Sequence, residues 1–468
     1  MEILCETEAR RLFCYHLAQT FFHSEAEAFS VAASFSENKA RVRLGNKEKS
    51  SAFEAEIDLS LHGERGRGEN AALGLAFAKA ARAFTSYVPP YGTLIGVRPV
   101  KVARFYLNRF SFDKDYVQSL LRREFLVAEE KAALLTELAL LEEEFTHSLS
   151  PEDSMLYLSI PFCPSRCSYC SFISSAAPSH FALIPRYLEQ MKEEISLTAR
   201  VIEKRKGSLR AVYMGGGTPG ILSAEELFGV LSHLKKEGLG QAKEYCIELG
   251  RPDTVTREKL EVLKEAGVNR ISINPQTTCD ETLRLIGRHH SAKDFFDAMA
   301  MAKEYDFAVN CDLISGLPGE TPDRFLTSVK DVLALGSANV TLHALCKKKS
   351  ASQQESPVFS TDFQEAVSLA HRLCINAGLR PYYLYRQKMT EGDLENLGFA
   401  RPGTVGTYNL AMMEDLCDIF ACGAGGISKL LPKEAGGRIR RFSNYKYPFE
   451  YLDHPEKIRE NLEEMNSL

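Results

Sequence analysis

The sequence predicts an α/β protein built on a partial, open (β/α)6-type barrel, preceded by an N-terminal accessory region and followed by a C-terminal extension. From Met155 onward, short β-branched or apolar runs alternate with amphipathic helical stretches, the pattern of a parallel sheet covered by helices. The residues with unusual chemistry fall at the ends of those runs, where barrel enzymes carry their active sites. A chain of 468 residues has room for roughly three domains.

The boundaries read as residues 1–150 for an accessory domain of unassigned role, 151–385 for the barrel and 386–468 for an extension covering the substrate side. In the first region, helical periodicity runs over Ala71–Phe84 and more strongly over Glu129–Phe145, where Leu134, Leu138 and Leu141 share a face. Between them, residues 88–101 pack turn formers beside Arg98 and Lys101, and Ser148-Leu-Ser-Pro151 reads as the linker. Strands are predicted at Met155–Ile160, Arg210–Met214, Glu244–Leu249, Asn269–Ile273, Phe307–Ile314, Asn339–Ala344 and Pro381–Gln387. The helix near Arg186–Lys204 places Leu188, Met191, Ile195 and Ile202 on one stripe. Ser223 with Glu226 forms a capping box, and Gly267 and Gly378 stand where helices should stop.

Composition narrows the function classes. Lys and Arg total 57 against 62 Asp and Glu, a net charge of -5 that points to neither nucleic acid nor an anionic membrane surface. Twelve irregularly spaced cysteines, an opening Met1-Glu-Ile-Leu without a signal-peptide pattern and the lack of a long apolar span predict a reducing cytoplasm and no membrane span.

The chemistry concentrates in a loop after the first barrel strand. Cys163, Cys167 and Cys170 stand in a C-x3-C-x2-C spacing. An iron–sulfur cube has four irons, so three thiolates leave one iron open to a ligand that is not protein. Structural zinc, a disulfide and plain buried cysteines compete with that reading; zinc would call for a fourth Cys or His in a second knuckle, which the flanks do not offer. Further along, Gly215-Gly-Gly-Thr-Pro219 lets backbone N–H groups approach a polar ligand closely. Glu248, at a strand end, needs a donor: a ribose, an amino group or a salt-bridge partner would serve. Gln276, Arg288 and Asp312 follow at successive loop positions, each equally readable as structural when taken alone. The basic segment Arg438-Ile-Arg-Arg441 through Lys446 reads either as a solvated loop or as a site for carboxylates. His289-His290 reads as a pair of ordinary loop histidines or as a haem ligand pair.

Together, the C-x3-C-x2-C loop, Tyr157-Leu-Ser-Ile-Pro-Phe-Cys163, the Gly-Gly-Gly-Thr-Pro run, Gln276 with Arg288, and Asp312-Leu-Ile-Ser-Gly-Leu-Pro318 resemble radical S-adenosylmethionine (SAM) proteins of the oxygen-independent coproporphyrinogen III oxidase-like branch. The likeness covers residues 155–430. Tyr91-Gly-Thr-Leu-Ile-Gly-Val-Arg-Pro-Val-Lys101 and Pro381-Tyr-Tyr-Leu-Tyr-Arg-Gln387 resemble the HemZ-type members. The resemblance implies a radical SAM barrel in which Cys163, Cys167 and Cys170 hold a [4Fe–4S] cluster. It further implies that Tyr157, Gly216, Glu248 and Ile427 contact the cluster-bound SAM. Tyr169, Gly217, Thr218, Gln276, Arg288, Asp312 and Ala344 would surround a second SAM.

The implied reaction is oxidative decarboxylation: a 5'-deoxyadenosyl radical takes a hydrogen from a propionate β-carbon of coproporphyrinogen III. Loss of CO2 and one electron then leaves a vinyl group, and two rounds give protoporphyrinogen IX. The implied partners are that tetrapyrrole, or haem, and a low-potential flavodoxin-like or ferredoxin-like electron donor. One departure matters. The family's oxidases carry a further cysteine two residues after the third ligand, and here Phe172 stands there. Relatives lacking that cysteine include haem chaperones, but those carry a His-Asn-x-x-Tyr-Trp segment and this chain contains no Trp. Tetrapyrrole methylation or ring opening is a third reading.

Overall fold

The computed structural model describes residues 1–170, 176, 178–346, 361–387, 394–432, 434 and 437–467. They form two compact units, Met1–Glu143 and Glu144–Leu468.

The first unit is a four-stranded sheet with helices over it. Its strands are β1 (Glu2–Leu4), β2 (Ser30–Phe35), β3 (Lys39–Gly45) and β4 (Ser50–Glu56), in that spatial order, with β1 parallel to β2 and the other neighbours antiparallel. In β3 the two-residue period is plain: Ala40, Val42 and Leu44 are buried while Lys39, Arg41 and Arg43 are exposed. The helices Glu8–Phe22 and Arg65–Ala81 supply Leu17, Phe21, Phe22, Leu73 and Phe77 to the same core. Phe22 stacks on Phe29 with ring centroids 3.9 Å apart. The predicted helix at 71–84 thus begins earlier, at Arg65, and the one at 129–145 is observed as Glu129–His147.

In the second unit, β5 (Asp153–Ile160), β6 (Ser208–Gly216), β7 (Glu244–Gly250), β8 (Arg270–Ile273), β9 (Ala308–Ser315) and β10 (Asn339–Ala344) lie side by side in sequence order, all parallel. Their near-continuous burial follows from helices covering a parallel sheet. The crossover helix Ile184–Lys204 buries its Leu188, Met191, Ile195 and Ile202 stripe, and the Ser223–Glu226 capping box opens the next helix. Gly267 and Gly378 take the positive φ of helix ends.

The sheet is open and longer than the sequence implies. The predicted strand at 381–387, β11 (Arg380–Arg386), does not continue the parallel series. Instead β12 (Glu395–Ala400) pairs antiparallel with both β10 and β11, standing between them. At the other end β13 (Asp418–Cys422) adds parallel to β5, followed by β14 (Ile427–Leu430) and β15 (Arg440–Ser443). The C-terminal residues are therefore part of the sheet as well as an extension of it. Ser159 Oγ donates to Ala424 O at 2.7 Å, Tyr187 Oη donates to Ser159 O at 2.7 Å, and Ala424 N–H donates to Tyr187 Oη at 2.8 Å. Beneath them the buried carboxylate of Glu194 accepts from Gly423 N, Asn444 Nδ2 and Tyr451 Oη, each at 2.7 Å.

At the opposite, N-terminal edge of the strands a buried ion pair knits the barrel. Arg270 donates to Asn310 Oδ1 (2.8 Å), Asn339 Oδ1 (2.5 Å) and Thr404 O (2.8 Å), and its Nε lies 3.5 Å from Glu244. Glu244 in turn accepts from the N–H groups of Thr407 and Tyr408, which open the helix Thr407–Glu414. Among the described residues no helix is long and apolar enough to cross a membrane.

Candidate active site

The cluster loop leaves β5 at Ile160 and is held against the glycine loop that follows β6. Gly217 N–H donates to Ile160 O (2.8 Å), Thr218 N–H to Phe162 O (2.7 Å) and Thr218 Oγ1 to Cys163 Sγ (3.3 Å). A Cβ on Gly217 would meet Phe162 O at 2.6 Å and Cys163 Sγ at 3.0 Å, so only glycine permits this approach. The far side of the loop is pinned by Ser168 N–H to Ile286 O (3.0 Å) and Ser165 Oγ to Gly287 O (3.3 Å).

This loop and the C-terminal ends of the strands enclose a cavity of about 400 Å³. Cys163, Cys167, Cys170, Tyr157, Tyr169, Gly216, Gly217, Thr218, Glu248, Gln276, Arg288, Asp312 and Ala344 all line it. Ile427 does not: it opens β14 with its side chain 42% exposed, outside the cavity-lining set. The basic segment 438–446 is likewise outside, its Arg440 and Arg441 lying on the edge strand β15. Of the histidine pair, His289 is exposed and His290 buried, and neither lines the cavity. Phe172 lies outside the described residues.

Glu248 accepts a hydrogen bond from Tyr213 Oη and, among the described residues, takes part in no ion pair. A Cβ on Gly215 would stand 2.5 Å from Glu248 Oε2, so the carboxylate occupies space that glycine leaves free. Tyr213 belongs to a stack with Tyr157 and Tyr408, centroids 6.3 and 4.4 Å away. Burial and, less strongly, the Asp312 charge push the Glu248 carboxyl up to about 7, against the opposing Tyr213 hydrogen bond, Gly216 N–H and His343. The folded chain therefore holds this proton more tightly than an unfolded one, so the stabilisation is full below about pH 4.5 and is lost as pH rises through about 7. In cluster-free protein, the stability of the native chain relative to Glu248→Gln is expected to fall by on the order of 1–3 kcal/mol across that window, read by denaturant unfolding at a series of pH values. A pH-independent difference would mean that Glu248 titrates in the folded protein as it does in the unfolded chain.

Arg288 is 5% exposed and donates to Tyr169 Oη (3.0 Å) and Asn274 O (3.0 Å). Asn274 Oδ1 accepts from Asp312 N–H, and Gln276 N–H donates to Asp312 O (3.0 Å) with Gln276 at a φ of 67°. Several lining residues carried no clear signal in the sequence. Arg251, 3% exposed, is gripped through two bonds by Asp253 and donates to Ser165 Oγ at 2.6 Å, bracing the cluster loop. Its position directly after a strand-end Glu-Leu-Gly was the available hint. His343 places Nε2 3.8 Å from Asp312 Oδ2 and Nδ1 3.2 Å from both Asn396 Oδ1 and Tyr385 Oη. Tyr382, Asn396 and Asn409 reach the cavity from the C-terminal elements.

The donor set fits a cube better than a single ion. Among the described residues, no three His, Cys, Asp or Glu side chains converge on one metal position. A cube binds each thiolate at a different iron, so its ligands need not converge, whereas tetrahedral zinc requires it. Buried Gln276 Oε1 and Arg288 Nε have no hydrogen-bond partner among the described residues, an acceptor and a donor left for a polar ligand.

Fold and site together define the class, and the model of the radical SAM superfamily matches residues 157–332. The chain belongs to that superfamily, in its oxygen-independent coproporphyrinogen III oxidase-like branch. It is 31% identical over 389 residues to the oxygen-independent coproporphyrinogen-III oxidase-like protein HemZ of Bacillus subtilis (strain 168), covering 81% of this chain and 77% of that one. The heme chaperone HemW of the same organism is 34% identical over 192 residues, covering 40% of this chain and 49% of the chaperone. Coproporphyrinogen III oxidase (HemN) from Escherichia coli, a solved radical SAM enzyme, superposes with a TM-score of 0.54 at 21% identity, over 68% of this chain and 72% of that one, a likeness of fold. The cofactors are those of the superfamily, a [4Fe–4S] cluster and SAM.

Proposed function

We propose that this chain acts on a tetrapyrrole, and that its reaction is the oxygen-independent oxidative decarboxylation of coproporphyrinogen III propionates to vinyl groups. The observation that supports this most is the gathering of Gln276, Arg288 and Asp312 around the same cavity as the cluster cysteines and Glu248. Cys163, Cys167 and Cys170 would hold the cluster, leaving one iron for SAM, while Glu248 and the backbone of Gly216 would accept and donate to the SAM polar groups. Tyr169, Gly217, Thr218, Gln276, Arg288, Asp312 and Ala344 would surround a second SAM. When bound, the cluster and SAM supply a carbon radical able to take a hydrogen atom from an unactivated position.

The protein's part is to orient and to exclude water. Arg288 fixes Tyr169 within the cysteine loop, Arg251 braces that loop through Ser165, and Tyr157 and Tyr213 of the Tyr157–Tyr213–Tyr408 stack line the cavity. Substrate carboxylates meet cations in the cavity itself, at Arg166 on the cluster loop and at His343 when protonated, rather than at segment 438–446. Electrons would come from a low-potential flavodoxin-like or ferredoxin-like protein.

A chaperone role is the second reading, supported by the similarity to HemW. Anaerobic incubation of reconstituted protein with dithionite, SAM and coproporphyrinogen III separates the two. Loss of two CO2 masses with formation of 5'-deoxyadenosine is expected, and it would show that Phe172 is compatible with decarboxylation. Deoxyadenosine without that loss rejects the reaction; neither product, with tight haem binding, favours the chaperone.

A further inference from the structure

Outside the barrel, the first unit brings two thiols together. Cys5 follows β1 and Cys14 lies in the middle of the helix Glu8–Phe22, and their Sγ atoms are 3.8 Å apart. That is van der Waals contact, and a disulfide would need the sulfurs to close to about 2.05 Å. The two are unequal. Cys14 is fully buried in the core formed by Leu17, Phe21 and Val31, whereas Cys5 is half-buried and lines a surface cleft with Thr7, Arg11, Arg41 and Arg43, alongside Glu6 and Glu8.

The surroundings distinguish them further. The Cys14 S–H, the backbone N–H of Ala33 and the charge of Arg10 draw the Cys5 thiol down to about 7, against burial and Glu6. Cys14 is pushed up by its bond to Cys5 and by burial. One thiol is thus reachable and ready to ionise, and the other is sequestered directly behind it. That is the arrangement of an attacking and a resolving cysteine.

We propose that Cys5 and Cys14 form a dithiol–disulfide site that reacts with low-molecular-weight disulfides. The Cys5 thiolate attacks one sulfur of the small disulfide, forming a mixed disulfide and releasing one small thiolate. Cys14 then gives up its proton to that thiolate and attacks the Cys5 sulfur, expelling the second small thiolate, which takes up the proton Cys5 released on ionising. Two protein thiols are oxidised and one small disulfide is reduced to two thiols, so electrons and protons balance. The product ties β1, an edge strand held to β2 over only three residue pairs, to the helix beside it. The site is independent of the tetrapyrrole reading and stands or falls by thiol chemistry alone.

The test uses the full-length, cluster-loaded protein under anaerobic conditions in glutathione buffers running from fully reduced to fully oxidised, followed by acid quenching, alkylation and peptide mass mapping. A Cys5–Cys14 crosslink is expected, with the loss of about 2 Da for its two hydrogens. At neutral pH, Cys5 should alkylate at least about tenfold faster than Cys14. In Cys14→Ser, with folding checked by circular dichroism, glutathione should remain trapped on Cys5. Failure to form the crosslink in any buffer, Cys5 pairing with a different cysteine, or a Cys14→Ser protein that takes up no glutathione at Cys5 would each overturn the proposal.

Discussion

Cys167→Ala is expected to lose the cluster's visible absorbance and bound iron, and to cut 5'-deoxyadenosine formation by more than about 100-fold, the scale on which even outer-shell partners of a metal site act. Cys167 is the middle cysteine of the loop, and its carbonyl accepts the Cys170 N–H at 3.1 Å, so it opens a turn that a backbone bond already closes. Replacing it removes the thiol without removing the turn. The substitution should therefore leave the far-ultraviolet circular dichroism and unfolding midpoint of cluster-free protein close to the native values. Iron content and deoxyadenosine, measured anaerobically after reconstitution, check the first expectation. Retention of a full complement of iron by the variant would remove these cysteines as the cluster's ligands.

Arg270→Ala carries the largest expected cost to stability, about 3–5 kcal/mol, because it breaks a buried ion pair from one side. Arg270 and Glu244 are each 6% exposed. Without the guanidinium, Glu244 keeps the N–H groups of Thr407 and Tyr408 but loses its cation, and Asn310, Asn339 and the Thr404 carbonyl lose their shared donor. Since these groups belong to β7, β8, β9, β10 and the segment leading into Thr407–Glu414, the damage spreads across the N-terminal end of the strands and, through Asn310, reaches the wall of the cavity. Chemical denaturation of cluster-free protein measures it. A loss below about 1 kcal/mol would mean that the pair is dispensable and the helix cap is sustained by Glu244 alone.

The parallel core was legible because each strand carries its own signal: a β-branched run bounded by turn formers, followed by a helix with its own stripe, as at Leu188, Met191, Ile195 and Ile202. Elements that owe their form to distant partners were not. β12 is a strand because β10 and β11 stand on either side of it, and β13 because β5 offers a free edge; nothing local in Glu395–Ala400 or Asp418–Cys422 announces that pairing. In β3 the alternation of Ala40, Val42 and Leu44 with charged neighbours was a usable signal in a region without catalytic motifs. The same distinction holds in the site. Residues embedded in motifs, such as Gly217 and Asp312, could be placed, while His343 and Asn396 meet only once β12 lies beside β10. For Ile427 the motif and the geometry part: its strand borders β13, but its side chain takes no part in lining the cavity.

The contacts between Ser159 and Ala424 span 265 residues of chain, and they lie at the base of the loop that carries Cys163. A ribosome delivers β5 long before β13, so during synthesis the strand leading into the cluster loop waits with an unpaired edge. Its neighbour on that side, and the Gly423, Asn444 and Tyr451 groups that bond to Glu194 beneath it, are translated only after β12. Until that stretch is made, the nascent chain presents Cys163, Cys167 and Cys170 without the wall behind them.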